Sequence, residues 1–307
     1  MKRCIIICGP TASGKTEFAH NFALKAGGEI INADSMQLYK QIPIITASPS
    51  SELKAALPYH LYNFYDVTDN FSATKYVEMA REKVQQIDAS GKLPIIVGGT
   101  GLYIDMLSKG YNQMPEIDAK VRAQVIDDHM KYGNKAIFRK LIEADPVIRD
   151  NLLENDTQRI IRAYEILMQS GKSILYYKKH DKYLPLPDFV FEIYYLVPER
   201  NFLYATCNER FAYLFNHGAL AEVQELINTY PKLTTTASKA LGVKQIADYL
   251  GGKIDRQAAI NEASILTRRY AKRQCTWFNN QLPEKTVVRF GNKVEYMKQI
   301  DNILKEL

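Results

Sequence analysis

A chain of 307 residues, 46% of them hydrophobic, is long enough for one large domain or a core with an insertion, and can bury a sizeable core. The four cysteines fit neither a disulfide framework nor a zinc site, which points to a reducing, cytoplasmic setting, and no membrane-spanning run or internal repeat is found. The net charge of +6 is unevenly placed: residues 230–285 hold ten Lys and Arg against four Asp and Glu, so a polyanionic partner competes with a merely solvated basic face.

Met1-Lys2-Arg3 and the five residues before the first glycine are too short for the apolar region of a signal peptide. The run Cys4-Ile5-Ile6-Ile7-Cys8 reads as a strand. It leads into Gly9-Pro10-Thr11-Ala12-Ser13-Gly14-Lys15-Thr16, which satisfies G-x-x-x-x-G-K-[ST] at every fixed position, and a helix-compatible stretch follows to Lys25. Glycines let such a loop curl so that successive N–H groups converge on an anion. The helix N-terminus adds unpaired donors, and Lys15 adds a full charge. Thr16 is the candidate ligand for a magnesium ion carried by that anion. The loop therefore binds a diphosphate or polyphosphate.

Glu29 to Ala33 reads as a second strand ending at Asp34. Ligands of open α/β sheets lie beyond the carboxyl ends of strands, so Asp34 is expected to face the loop's cavity; a capping role is the structural alternative. An irregular Pro- and Ser-rich loop then runs to about Ser51. Ser72 has the character of an N-cap for a helix to about Ala89, with Tyr76, Ala80, Val84 and Ile87 on one face. Leu93 to Val97 is a buried strand closed by Gly98-Gly99-Thr100-Gly101. Many phosphate-loop enzymes end such a strand in Asp, which helps hold magnesium and orient water. That Asp is missing here, which argues against ATP hydrolysis and ordinary kinase chemistry, and leaves the Thr100 hydroxyl as a candidate contact.

From about Tyr111 the pattern turns helical, with candidate helices Asp118–Tyr132, Asn134–Ala144 and Asp156–Ser170, the last closed by Gly171. Gln158, Arg159 and Arg162 share one side of that last helix. Phe189 to Val197 is another apolar strand, so residues 111–187 are expected to form a helical insertion domain within a core of 1–110 and 188–307. The remainder reads mostly as helix. Its last long helix holds Arg268, Arg269, Lys272 and Arg273 with Tyr270, Trp277 and Phe278 interleaved, a composition suited to phosphates and unstacked bases.

In order along the chain, these residues resemble one family, the tRNA dimethylallyltransferases, also called tRNA isopentenyltransferases. The likeness is carried by Gly9–Thr16, Asp34-Ser35-Met36-Gln37 with Tyr39-Lys40, and Val97-Gly98-Gly99-Thr100-Gly101-Leu102-Tyr103. It continues through Asn155-Asp156, Gln158-Arg159, Gly242 with Gln245, and Ala271-Lys272-Arg273-Gln274 with Thr276-Trp277. The resemblance implies an α/β fold, a P-loop NTPase-like parallel sheet core flanked by helices, with a helical insertion domain. It implies transfer of a dimethylallyl group from dimethylallyl diphosphate to N6 of the adenosine beside the anticodon's third base in tRNA, with magnesium as cofactor. The expected enzyme is a cytoplasmic monomer that uses no membrane.

The same likeness assigns Asp34 as the base, Thr100 a place between amine and diphosphate, and Lys15 and Arg210 a grip on the diphosphate. Contacts to the tRNA anticodon arm fall on Asp34, Ser35, Met36, Gln37 and Thr100, on Arg122, and on Gln158, Arg159, Ile160, Ile161 and Arg162. They continue on Lys239, Ala240, Leu241, Gly242, Val243 and Lys244, and on Lys272, Arg273, Gln274 and Trp277. Some positions depart from the family pattern: Ile45 and Ser48 replace a common Gly and Lys, Thr206 replaces an Arg, and Val243-Lys244 replaces Tyr-Arg. Two other readings stay open, an adenylate dimethylallyltransferase acting on free nucleotide and a non-catalytic RNA-binding relative.

Overall fold

The computed structural model describes residues 1–306 apart from 181, 234 and 283. Strand β1 (Lys2–Cys8) is fully buried from Cys4 onward, as a continuous apolar run covered on both faces demands. The phosphate loop follows, then α1 (Lys15–Ala26), β2 (Gly28–Asn32), α2 (Ser51–Ala56) and the two-residue β3 (Tyr59–His60). Next come α3 (Ala73–Ala89), β4 (Leu93–Gly98) and α4 (Gly101–Lys109). The sheet is completed by β5 (Phe189–Pro198) and β6 (Thr286–Phe290), giving six parallel strands in the order β3-β2-β4-β1-β5-β6. The expected parallel α/β core is what the chain forms. Strand β6, an edge strand, was not expected from the sequence: its five residues Thr286-Val287-Val288-Arg289-Phe290 are too short to show a period.

Side chains alternate across a strand, so Ile5 and Ile7 of β1 reach one face, where Phe18 and Phe22 of α1 cover them together with Tyr296 and Ile300 of a later helix. Helix α3 has the Ser72 cap, whose hydroxyl accepts the Lys75 N–H at 3.1 Å. Its buried stripe is Tyr76, Val77, Ala80, Val84 and Ile87, and the Tyr76 ring stacks on Tyr103 of α4 at 3.9 Å.

The described chain divides into two compact units, Met1–Lys109 with Pro185–Leu307, and Gly110–Leu184. The smaller unit holds α5 (Ala119–Ala144), α6 (Thr157–Ser170) and α7 (Ile174–Lys178), around Ile137, Leu141, Ile148, Ile160 and Ala163. Helix α5 breaks at Gly133 (φ 77°, ψ 170°), between the two helices read from the sequence. Asp156 caps α6, accepting the Arg159 N–H at 3.4 Å, and Gly171 ends it at φ 67°.

In the larger unit β5 is followed by α8 (Arg200–Leu214), α9 (Leu220–Thr229), α10 (Val243–Leu250) and α11 (Arg256–Gln281), and β6 by α12 (Lys293–Lys305). Helices α8 to α11 and the loop around Ile42 and Ile45 enclose a second apolar cluster that includes Phe211, Val223, Ile246 and Ala263. Among the described residues no helix is long and apolar enough to cross a membrane.

Candidate active site

The loop between β1 and α1 curls through Ala12 (φ 63°) and Gly14 (φ 82°), and glycine is needed at the second because its backbone also packs under the Tyr296 ring. Tyr296 of α12 donates its hydroxyl proton to the Gly14 carbonyl at 2.9 Å. Lys15 Nζ folds back to the Pro10 carbonyl at 3.2 Å, across the mouth of the loop. Ser13 Oγ is buried with no hydrogen-bond partner. Such a group in an N–H-rich concavity suits an anion that completes its bonding.

Lys15 is half-buried in the cleft. Burial lowers its pKa to about 8; Asp34 opposes that shift and the positive charge of Arg210 reinforces it. Burial also lowers Arg210, with Asp34 again opposing it. Arg210, on α8, donates to the Thr46 carbonyl at 3.4 Å. Two cations and one carboxylate thus converge on one space.

Asp34 is held by its neighbour. Asn32, wholly buried at the end of β2, accepts the Asp34 N–H at 2.8 Å and donates to the carbonyls of Asp34 at 2.9 Å and Leu61 at 3.0 Å. The Asp34 carboxylate accepts the Met36 N–H at 3.0 Å, which leaves most of its lone pairs free. The Thr100 hydroxyl lies behind this turn, accepting the Ser35 N–H at 3.0 Å and lying 3.3 Å from the Ser35 hydroxyl.

Two cavities meet here. A larger one of about 600 Å³ is lined by Thr11 to Thr16, His20, Asp34, Thr46 to Ser50 and Arg210. A smaller one of about 220 Å³ is lined by Met36, Ile45, Phe211, Leu214, Ala240 and Leu241 on its apolar side, and by Tyr270, Lys239 and Arg273 on its polar side. Asp34, Thr46, Arg210, Thr11 and Leu214 line both. The arrangement can hold an anion on one side of Asp34 and a small apolar or aromatic group on the other. Thr46 and Phe211 are site residues that sequence reasoning missed, although Thr46 lay in the loop flagged for its departures and Phe211 is adjacent to Arg210. Tyr270 was marked only as one of the aromatics among the cations of the basic helix, not as a wall of this cavity.

Residues 37–281 match the family model described as IPP transferase. Over 304 residues the chain is 47% identical to a tRNA dimethylallyltransferase of Rickettsia conorii, covering 99% of this chain and 84% of the relative. The chain belongs to the IPP transferase family. A tRNA dimethylallyltransferase of Rickettsia felis is likewise 47% identical over 303 residues, with 99% of this chain and 98% of the relative covered. Among solved structures, the full-length tRNA isopentenylpyrophosphate transferase of Bacillus halodurans superposes with a TM-score of 0.69 at 30% identity, covering 100% of this chain and 95% of that one. A eukaryotic dimethylallyltransferase acting on tRNA, seen in crystallographic snapshots, gives 0.83 at 25% identity, covering 99% of this chain and 77% of that one.

The family's expected tRNA-facing residues fall into two sorts here. Lys239, Lys244, Lys272 and Arg273 are exposed and Trp277 is half-buried. Arg269, Lys272, Arg273, Thr276 and Trp277 together line an open surface cleft of about 530 Å³. Lys244 is already paired with Asp248, which also meets Lys253 at 3.1 Å. Gln37, Ala240, Val243 and Gln274, by contrast, are interior. The Gln37 amide holds the carbonyls of Thr46 at 3.1 Å and Ala47 at 2.9 Å. The Gln274 amide faces inward, its oxygen accepting the Thr11 N–H and its NH₂ donating to the Gly99 carbonyl.

Within the smaller unit, Gln158 and Arg159 are exposed, Ile161 is half-buried and Ile160 is part of the core. Arg122 Nε and Arg162 Nη1 both donate to buried Glu165, at 3.3 and 3.2 Å, which holds two guanidinium groups side by side at the surface of that unit.

Proposed function

We propose that this chain transfers a dimethylallyl group from dimethylallyl diphosphate to N6 of the adenosine at position 37 of tRNA, beside the anticodon, releasing diphosphate. The observation that carries the reading is the position of Asp34 and Arg210 on the wall shared by the phosphate-loop cavity and a smaller one of mixed apolar and polar lining. The diphosphate lies in the loop, and the allylic carbon reaches past Asp34 toward the acceptor base. An adenine amine is a poor nucleophile because its lone pair is delocalised, so Asp34 takes the N6 proton as the C–N bond forms. The allylic C–O bond breaks as this happens. Lys15, the loop N–H groups and Arg210 then meet the charge that gathers on the departing diphosphate. The base leaves its stack to reach the pocket, and the exposed cations and Trp277 of α11 hold the surrounding anticodon arm.

The donor set also fits magnesium. Among the described residues no cluster of three or more acidic, His or Cys side chains could hold a metal by itself. Magnesium in phosphate sites takes one or two protein oxygens and the rest from phosphate and water, which the Thr16 hydroxyl beside the loop allows. When bound, it would neutralise part of the diphosphate charge. The reading includes a monomer in the cytoplasm, acting without a membrane; the four cysteines are free thiols, as a reducing compartment keeps them.

The test is purified protein with dimethylallyl diphosphate and either unmodified tRNA or AMP, followed by nucleoside mass analysis. Prenylated adenosine at position 37 is the expected product. Product in free nucleotide alone, or ADP formed in step with transfer when ATP is supplied, would overturn the reading.

A further inference from the structure

We propose that Gln274 is a positioning residue that holds the basic helix α11, the phosphate loop and the Gly99–Thr100 turn in one register; the proposal rests on the transferase reading above. Along α11, Ala271, Gln274 and Phe278 fall on the buried stripe, while Lys272, Arg273 and Thr276 face outward. An amide on a buried stripe is costly unless both of its ends are paired. Here both are. The Gln274 carbonyl accepts the Thr11 N–H at 2.8 Å, and its NH₂ donates to the Gly99 carbonyl at 2.8 Å. Thr11 offers only a donor there and Gly99 only an acceptor, so the partners fix which end of the amide is oxygen.

One side chain thus ties the entry of the phosphate loop to the turn after β4. That turn is gripped again two residues on, where the Trp277 ring packs so closely over Gly101 that a Cβ there would lie 2.2 Å from an indole carbon. Thr100 sits between the two grips, and its hydroxyl carries the Ser35 N–H beside Asp34. The outward face of α11 carries the cations assigned to tRNA, and its inward face sets the distance between the diphosphate loop and the base. A shift of about 1 Å between reacting groups costs on the order of 10²-fold in rate. Holding that distance is the work assigned to Gln274.

The experiment uses the full chain with Gln274→Met, which keeps the volume and removes both hydrogen bonds. Three quantities are read: binding of inorganic diphosphate, tRNA affinity with its salt dependence, and the single-turnover rate with both substrates saturating. The expected result is a rate lowered on the order of 10²-fold, diphosphate binding weakened roughly fivefold to tenfold, and tRNA affinity and salt slope unchanged. Gln274→Asn keeps a buried amide but can reach only one partner, and it decides the matter should the Met variant melt early. A folded variant with a rate within threefold of wild type overturns the proposal. So does a loss confined to tRNA affinity, which would return Gln274 to the tRNA surface. Wild-type protein that binds diphosphate but modifies no tRNA would instead refute the transferase reading, while the diphosphate arm still reports on the loop.

Discussion

Replacing Asp34 by Asn removes a proton acceptor while leaving the loop's wiring in place. The Met36 N–H that now meets the carboxylate at 3.0 Å can be accepted by the carboxamide oxygen, and the Asn32 bonds to the Asp34 backbone are untouched. One positioned base contributes on the order of 10²–10⁴-fold, or about 2.7–5.4 kcal/mol of barrier. The lost charge has a second, separable effect. Asp34 favours the protonated forms of both Lys15 and Arg210, so its removal lowers Lys15 below about 8. Donor binding in Asp34→Asn should therefore weaken at a lower pH than in wild type, while tRNA affinity stays close to normal. The assay is single turnover with preformed tRNA complex and saturating dimethylallyl diphosphate, run at a pH well below and a pH just above 8. A saturated rate within about threefold of wild type at both would remove Asp34 from the proton transfer.

Lys15 itself predicts a pH profile: kcat/KM for the donor should fall about tenfold per unit as pH rises past about 8, because the free enzyme then loses the Lys15 charge. Lys15→Arg, which stays charged, should show no such fall; a wild-type profile flat well above 8 would contradict the assignment. Gly98→Ala puts a Cβ 2.1 Å from the Ala33 carbonyl oxygen, so it should cost about 1–3 kcal/mol and appear as a melting point lowered by several degrees. An unchanged melting point would mean that the β2–β4 approach is softer than it looks. Neutralising Lys272 and Arg273 together should lower the slope of log K against log salt for tRNA binding by about 1.5, with the saturated rate little changed. An unaltered slope would place the tRNA elsewhere.

What the sequence could reveal followed from how local each signal was. The phosphate loop, the β1 and β4 strands and the Ser72-capped helix are each written in one short continuous stretch, and each lies where the pattern put it. Asp34 had an argument of its own, the end of a strand beside that loop. Thr100 was marked by its place after the glycines that close β4, whereas Arg210 was singled out by resemblance, since one Arg on a helix announces no cleft. The smaller cavity was illegible because its walls come from separate stretches: Met36 and Ile45 from one loop, Phe211 from α8, Leu241 before α10 and Tyr270 from α11. The inward Gln274 did leave a trace, a polar residue on a stripe otherwise made of Ala271 and Phe278. That trace was outweighed by the cations on either side of it. Nothing local linked Tyr296 to Gly14, 282 residues away in the chain.

The missing acidic residue at the end of β4 has a structural explanation. Strand β4 lies between β1 and β2 in the sheet, and a side chain at position 98 would collide with the Ala33 backbone just past the end of β2. With glycine there, the Ala33 backbone closes against the strand, its N–H on the Val97 carbonyl at 2.7 Å and its carbonyl on the Thr100 N–H at 3.1 Å. That closure brings the next residue, Asp34, onto the wall of the cavity that Lys15 and Thr16 also line. A carboxylate is therefore still present beside the phosphate loop, supplied from the neighbouring strand. It also lines the second cavity, the place that the proposed reaction gives to the acceptor base rather than to a hydrolytic water. A glycine in place of a strand-end acid is thus consistent with chemistry in which the group to be deprotonated belongs to the second substrate. In the same geometry, an aspartate at position 98 would not restore NTP hydrolysis; it would drive Ala33 outward and carry Asp34 with it.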